Sequence, residues 1–142
     1  LFKRIKKPHT YTMSFLAKLT LDGSDEINVL YCSYRFNQMI DATGKPSSIP
    51  QGGLVTLTVE SKNGTDIFDW MIKPTGTKGG TITLCRRAMK SKLKALTFGD
   101  AYCVDFSEEF NHLGDFPMQI TFTLSAKTLK LNDSEFKNNQ PE

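Results

Sequence analysis

The chain has 142 residues, 39% of them hydrophobic, with 18 basic and 15 acidic side chains for a formal net charge of +3. That length suits one domain able to bury a core without metals or disulfides, and the odd, widely spaced set Cys32, Cys85 and Cys103 forms no CxxC pair, which excludes a zinc knuckle or a closed disulfide framework. Lys3, Arg4, Lys6 and Lys7 supply the excess charge from within the first twelve residues; without them 14 bases face 15 acids, and the main support for nucleic-acid binding is gone.

Residues 1–12 read as a disordered basic extension ahead of Met13, which is the expected natural start. The extension lacks the apolar run of a signal peptide, and no segment approaches the ~20 apolar residues of a membrane helix. The domain is therefore expected to be made in the cytoplasm and to leave only through another machine. The folded body is expected over 13–131, and the polar tail 132–142 is expected to fray.

Alternation places the first strand at Phe15 to Leu21, with Phe15, Ala17, Leu19 and Leu21 on one face, and Asp22-Gly23-Ser24-Asp25 turns it into a hairpin. The second strand, Ile27 to Met39, sets Leu30, Cys32, Tyr34 and Phe36 against Tyr31, Ser33, Arg35 and Asn37. A Gly, Pro and Ser-rich loop, Asp41 to Gly53, leads to the third strand, Leu54 to Ser61. Thr65 or Asp66 then caps a short helix through Met71 or Ile72, ended by Pro74, with Ile67, Phe68, Met71 and Ile72 as its apolar stripe and Trp70 partly beside it. This helix is expected to plug the open side of a small barrel.

Strands four (Gly79 to Arg87) and five (Lys92 to Phe106) form a hairpin with its tip at Ala88 to Ser91. Gly99-Asp100 interrupts the parity of strand five and predicts a bulge or corner. Strand six, Met118 to Leu131, changes phase after Ala126 and should bend near Lys127-Thr128. Threonine alternates with apolar residues in three places: Thr56 and Thr58, Thr81 and Thr83, and Thr121 and Thr123. Such a face is wet but nearly uncharged.

Residues for chemistry are scarce. His9 lies in the extension and His112 in a polar loop, so no Cys-His dyad, Ser-His-Asp order or metal-binding His cluster can be assembled. Asp105, Glu108 and Glu109 read as a solvated strand end rather than a catalytic carboxylate pair. Gly76-Thr-Lys-Gly-Gly80 lacks the Gly-Lys-Ser/Thr ending of a phosphate loop. No catalytic, cofactor-binding or metal residue is assigned. More informative is a split of charge: Arg86, Arg87, Lys90, Lys92 and Lys94 crowd one end of the fourth and fifth strands, and Asp105, Glu108, Glu109 and Asp115 the other, about 35 Å away at ~3.3 Å per residue. A protomer with opposed ends suits head-to-tail stacking.

Met13-Ser-Phe-Leu-Ala-Lys-Leu, Asn28-Val-Leu-Tyr-Cys-Ser-Tyr, Asp41-Ala-Thr-Gly-Lys-Pro, Pro50-Gln-Gly-Gly, Leu57-Thr-Val-Glu-Ser, Phe68-Asp-Trp-Met, Asp100-Ala-Tyr-Cys-Val-Asp and Ile120-Thr-Phe-Thr-Leu-Ser-Ala-Lys follow one another over nearly all of residues 13–140. In order and spacing they resemble the type VI secretion tube proteins, the haemolysin-coregulated protein family, in the form found in Bacteroidota. The resemblance implies a mainly β fold, a small antiparallel barrel or two-sheet sandwich of about six main strands with one helix over about 65–72. It implies a non-enzymatic subunit of homohexameric rings that stack into a tube driven by sheath contraction. The implied partners are the protein itself, the sheath, spike and baseplate proteins, and effectors in the lumen, with no cofactor, nucleic acid or direct membrane insertion. Asp41, Lys45, Pro46, Pro50, Gln51, Arg86, Arg87, Lys90, Glu108 and Glu109 would then lie at ring or stacking interfaces, and Thr56, Thr58, Thr81, Thr83, Thr121 and Thr123 would line the lumen. Two other readings stay open: a phage-like tail tube protein, and a monomeric barrel binding a ligand or peptide near Tyr31, Tyr34, Tyr102 and Trp70.

Overall fold

A computed structural model describes residues 15–86 and 91–138. The elements are β1 (Phe15–Leu21), β2 (Ile27–Tyr34), β3 (Leu54–Glu60), α1 (Asp66–Met71), β4 (Lys78–Arg86), β5 (Ser91–Phe110), β6 (Met118–Ser125), β7 (Thr128–Leu131) and β8 (Ser134–Lys137). All neighbours are antiparallel in the order β4-β1-β2-β3-β6-β5-β7-β8, and a further pairing of β4 with β5 closes six strands into a barrel. Of the two architectures expected, the barrel is the one formed, with β7 and β8 as an added hairpin.

Long β5 makes this closure possible. Its first half pairs with β4 and β7 and its second half with β6. The bend between them falls at Gly99-Asp100, where β5 carries one residue more than β4 and Asp100 takes φ 48°. An aspartate tolerates this left-handed backbone better than a branched residue would. Bulges at Leu30 and Val104 shift register on β2 and β5 in the same way. The β1–β2 hairpin turns through Asp22 (φ 42°) and Gly23 (φ 80°), and the Asp22 carboxylate accepts a hydrogen bond from the Gly79 N–H at 2.9 Å, anchoring the turn to β4.

The alternating residues fill the barrel: Leu19, Val55, Leu57, Val59, Ile82, Phe98, Phe122 and Leu124 are completely or almost completely buried. Phe98 lies so close over β4 that a Cβ on Gly80 would stand 2.8 Å from its ring and 2.5 Å from the Thr20 carbonyl oxygen, so only glycine fits there. The glycines around residue 80 thus serve packing, in a strand. β1 and β2 pair at only three positions, and a polar chain reinforces this short seam: Lys18 donates to the Asn28 side chain, which donates to Glu60 at 2.8 Å.

Several expectations are corrected. The helix buries Ile67 and Trp70, while Phe68 and Ile72 are exposed. Trp70 has moved to the centre because its indole N–H donates to the Ala101 carbonyl at 3.1 Å and its ring meets Phe122 edge-on at 6.1 Å, which supports the plug role. β2 stops at Tyr34 instead of Met39. Strand six is two strands, β6 and β7, separated at Ala126-Lys127. Of the tail expected to fray, residues 133–138 are ordered: Asn132 (φ 53°) turns the chain, and β8 pairs along all of β7, while 139–142 lie outside the described residues. Of the cysteines only Cys103 is buried; Cys32 and Cys85 are half-buried free thiols. The expected hairpin tip at 88–91 lies mostly outside the described residues.

Candidate assembly surfaces

The outward residues of β3 and β6 form a ladder of hydroxyls. Thr56 pairs with Thr123 and Thr58 with Thr121, with Oγ1–Oγ1 distances of 3.1 and 3.0 Å. On β2 the rows continue onto neutral neighbours, Ser33 beside Thr56 and Tyr31 beside Thr58; on β5 Ser107 stands beside Thr121, whereas the exposed acid Asp105 stands beside Thr123 and borders the ladder. Matched cross-strand threonines of this kind contribute roughly 0.2–1 kcal/mol per pair while presenting methyls and hydroxyls without charge.

Thr81 and Thr83 belong elsewhere. They stand on β4, opposite Thr20 and Lys18 of β1, and Thr81 meets Thr97 of β5 at 3.4 Å. Going round the barrel in either direction, β4 is three strands from β3. The two threonine groups therefore decorate opposite walls of one protomer. Thr56, Thr58, Thr121 and Thr123 are brought together by the fold, and Thr81 and Thr83 are not brought to them.

The segment between β2 and β3 is an ordered arm. Asn37 and Gln51 exchange two backbone hydrogen bonds, of 3.0 and 2.7 Å, and Ile40 bridges to Pro46. At its tip the Asp41 carboxylate accepts from the Thr43 amide (2.8 Å), the Thr43 hydroxyl (2.7 Å) and the Lys45 amide (3.1 Å), and these bonds hold its pKa below the ordinary aspartate value. Asp41, Lys45, Pro46, Pro50 and Gln51 all lie on this arm and are exposed, and Met39, Ile40 and Ile49 expose apolar surface beside them.

The base of the arm is clasped by the C-terminal hairpin. Phe36 meets Phe136 of β8 edge-on at 4.7 Å, and the Asn138 side-chain amide donates to the Gly52 carbonyl at 3.1 Å. A Cβ on Gly52 would fall 2.2 Å from the Phe36 ring. Sequence reasoning missed this clasp. Its one signal was Phe136, a lone aromatic in a polar stretch.

Arg86 is exposed at one end of the barrel, paired with Phe15 and Ser91, whereas Arg87 and Lys90 lie outside the described residues. Glu108 and Glu109, at the other end, point to opposite faces because they are adjacent on a strand. Glu108 accepts from the Ser61 hydroxyl at a cleft of about 490 Å³, and Glu109 stands beside Gln119 on the outer wall. Glu60, Asp25, Glu26 and Asp66 also line that cleft, a convergence invisible in the sequence because four separate segments supply it. Tyr31, Tyr34, Tyr102 and Trp70 do not form one pocket. Trp70 is buried, Tyr34 lines an apolar cleft of about 300 Å³ with Phe36 and Phe136, and Tyr31 and Tyr102 lie on the outer wall. Among the described residues no group of three or more His, Cys, Asp or Glu side chains is placed to hold a metal, and no helix is long and apolar enough to cross a membrane.

A barrel of six antiparallel strands with an ordered arm, a helical plug and a threonine-paired wall coincides with a match of residues 13–140 to the family model described as hemolysin coregulated protein Hcp (TssD). The chain belongs to this family. It superposes on Hcp1 from Flavobacterium johnsoniae with a TM-score of 0.81 at 36% identity, over 87% of this chain and 99% of that one. Hcp1 from Salmonella typhimurium shares the fold with a TM-score of 0.69 at 18% identity, over 84% of this chain and 86% of that one. Hcp1 from the E. coli EAEC 042 pathovar does so with a TM-score of 0.67 at 9% identity, over 89% and 98%. No curated protein sequence matches the chain. As a member of the Hcp family it is a tube subunit of a type VI secretion system, and assembly into rings is typical of that family.

Proposed function

We propose that six copies of this chain close into a ring with the β3–β6 wall turned to the lumen, and that stacked rings form the inner tube of the secretion machine. The observation that carries this reading is the hydroxyl ladder Thr56–Thr123 and Thr58–Thr121. Repeated around a ring, it gives a wet, weakly charged lining over which cargo can pass without being held. The β4–β1 wall sets Lys18 in the middle of its threonines, whereas the acid bordering the β3–β6 ladder, Asp105, stands at its β5 margin beside Thr123, so the β4–β1 wall is assigned to the outside. The arm 35–53, with exposed Met39, Ile40 and Ile49, reaches a neighbouring subunit or ring.

In this reading the protein is structural and not catalytic. It works in the cytoplasm when assembled, alongside sheath, spike and baseplate proteins, carries effectors in its lumen, and is expelled through the machine. Light scattering of the full chain with negative-stain electron microscopy tests the assembly. Six-membered rings with a central hole are expected. A monomer at high concentration would overturn the reading in favour of a monomeric binding barrel.

A further inference from the structure

The cleft of about 490 Å³ at one end of the barrel has two unlike parts. Its floor is apolar, built from Ile67 and Phe68 of α1, Phe106 of β5 and Ile120 of β6, with Phe68 and Phe106 edge-on at 5.6 Å. Its rim carries five carboxylates, Asp25, Glu26, Glu60, Asp66 and Glu108, against the single base Lys62. Phe68 is 46% exposed within it, an aromatic ring left on the surface beside a ring of negative charge. Folding of the protomer alone does not account for that combination, since an exposed aromatic gains nothing from water.

The other end of the same strands has the complementary chemistry. From Trp70 to Gly99 the sequence holds seven Lys and Arg and no acid. The described part of that end presents Arg86, Lys92 and Lys94 around two exposed apolar side chains, Phe15 at 59% and Leu93 at 44%. β1 runs from Phe15 at the basic end to the turn bearing Asp25 and Glu26 at the cleft, so the two surfaces are separated by the length of the barrel and cannot meet within one protomer.

Resting on the ring reading above, we infer that the basic end of one protomer docks into the acidic, apolar-floored cleft of a second copy of this chain in the next ring. Phe15 and Leu93 cover the floor near Phe68, and Arg86, Lys92 and Lys94 meet the carboxylates of the rim. The contact is heterologous, with unlike surfaces on the two partners, so it leaves a free cleft at one end of every stack and a free basic end at the other and can propagate without limit. Unlike charges set the direction in which rings add, because two clefts or two basic ends repel.

The test is a charge exchange on the full chain, read by sedimentation velocity and electron microscopy. Arg86→Glu with Lys92→Glu makes one variant; Asp25→Lys with Glu26→Lys makes the other. Each alone is expected to keep single rings and to lose species larger than one ring, and an equimolar mixture is expected to recover two-ring and longer species. Salt should weaken wild-type stacks as the screening length falls below about 8 Å, and Leu93→Ser should weaken those that remain. Stacks unchanged in both variants, or wild-type rings that stay single at every concentration and salt, would overturn the inference while leaving the ring reading intact. Loss of the rings themselves in either variant would place the contact within a ring and overturn it. A monomeric wild type would remove the ring reading, and this inference with it.

Discussion

The two threonine walls have nearly the same texture and opposite directions. On β3–β6, Thr56, Thr58, Thr121 and Thr123 pair with one another across a single strand boundary; on β4–β1, Thr81 and Thr83 face Thr20 and Lys18. Alternation reports that a residue points out of the sheet, and a closed barrel has an outside in every direction. What distinguishes the walls is the charge beside the threonines: the β3–β6 threonines pair with one another and meet a single acid, Asp105, at the β5 margin, whereas Thr83 has the cation Lys18 opposite it in the middle of its wall. A lumen needs the first kind and an exterior tolerates the second.

The walls stand back to back on one core, so the largest effect comes from removing what they share. Phe122 is fully buried under the β3–β6 ladder and against Trp70, and Phe122→Ala is expected to cost about 3–5 kcal/mol in urea unfolding and to loosen both walls together. Hydrogen exchange that rises on one wall alone would mean that they are stabilised independently. Next is the clasp of the arm. Gly52→Val drives a side chain into the Phe36 ring and is expected to cost about 1–3 kcal/mol, with exchange rising in 35–53 and 128–138 and little change in β4.

Smaller effects separate the walls directly. Thr123→Val and Thr81→Val should each change stability by no more than about 1 kcal/mol, yet only the first should alter cargo retention in tubes. Equal retention in both variants would remove the functional distinction between the walls. Thiols offer a further contrast. Cys32 faces inward, and burial raises its pKa from 9.0 to about 11, so it should resist alkylation at pH 8 while Cys85, on the outer face of β4, reacts first. Because the unfolded thiol ionises before the folded one, the stability linked to Cys32 is present below pH 9 and is lost as the pH rises to about 11. The smallest effect has the opposite sign. Asp41 is held ionised by its hydrogen bonds, so order at the arm tip should persist above the ordinary carboxylate range and fade as the pH falls through its lowered pKa, read as faster exchange at residues 41–46.

Much of the fold was legible where one periodicity decided it. β1 begins and ends where alternation placed it, β3 differs by one residue, and the phase change after Ala126 marks the break between β6 and β7. Gly99-Asp100 showed the bend of β5 because glycine and aspartate are the residues that such a backbone accepts. The clasp was illegible because Phe136 and Asn138 draw their order from Phe36 and Gly52, far away in the chain. The helix stripe was misread in its phase: Ile67, Trp70 and Met71 share the i, i+3, i+4 face that turns to the core, and the hydrogen bond to Ala101 satisfies the indole N–H there, so Phe68 and Ile72 are left outside. The residues proposed for interfaces are brought together only in part. The arm residues fall on one element, whereas Glu108 and Glu109 part to opposite faces and the acidic cleft is assembled from turns, a helix and two strands.

The most direct test of the inward β3–β6 wall is labelling of assembled tubes with a bulky maleimide, using Thr123→Cys and Thr81→Cys, each in a Cys85→Ser background. Protection at position 123 with ready labelling at 81 is the expected result, and both sites should label once the tubes are dispersed. Labelling at 123 with protection at 81 in intact tubes would contradict the account, placing the cation-bearing wall in the lumen.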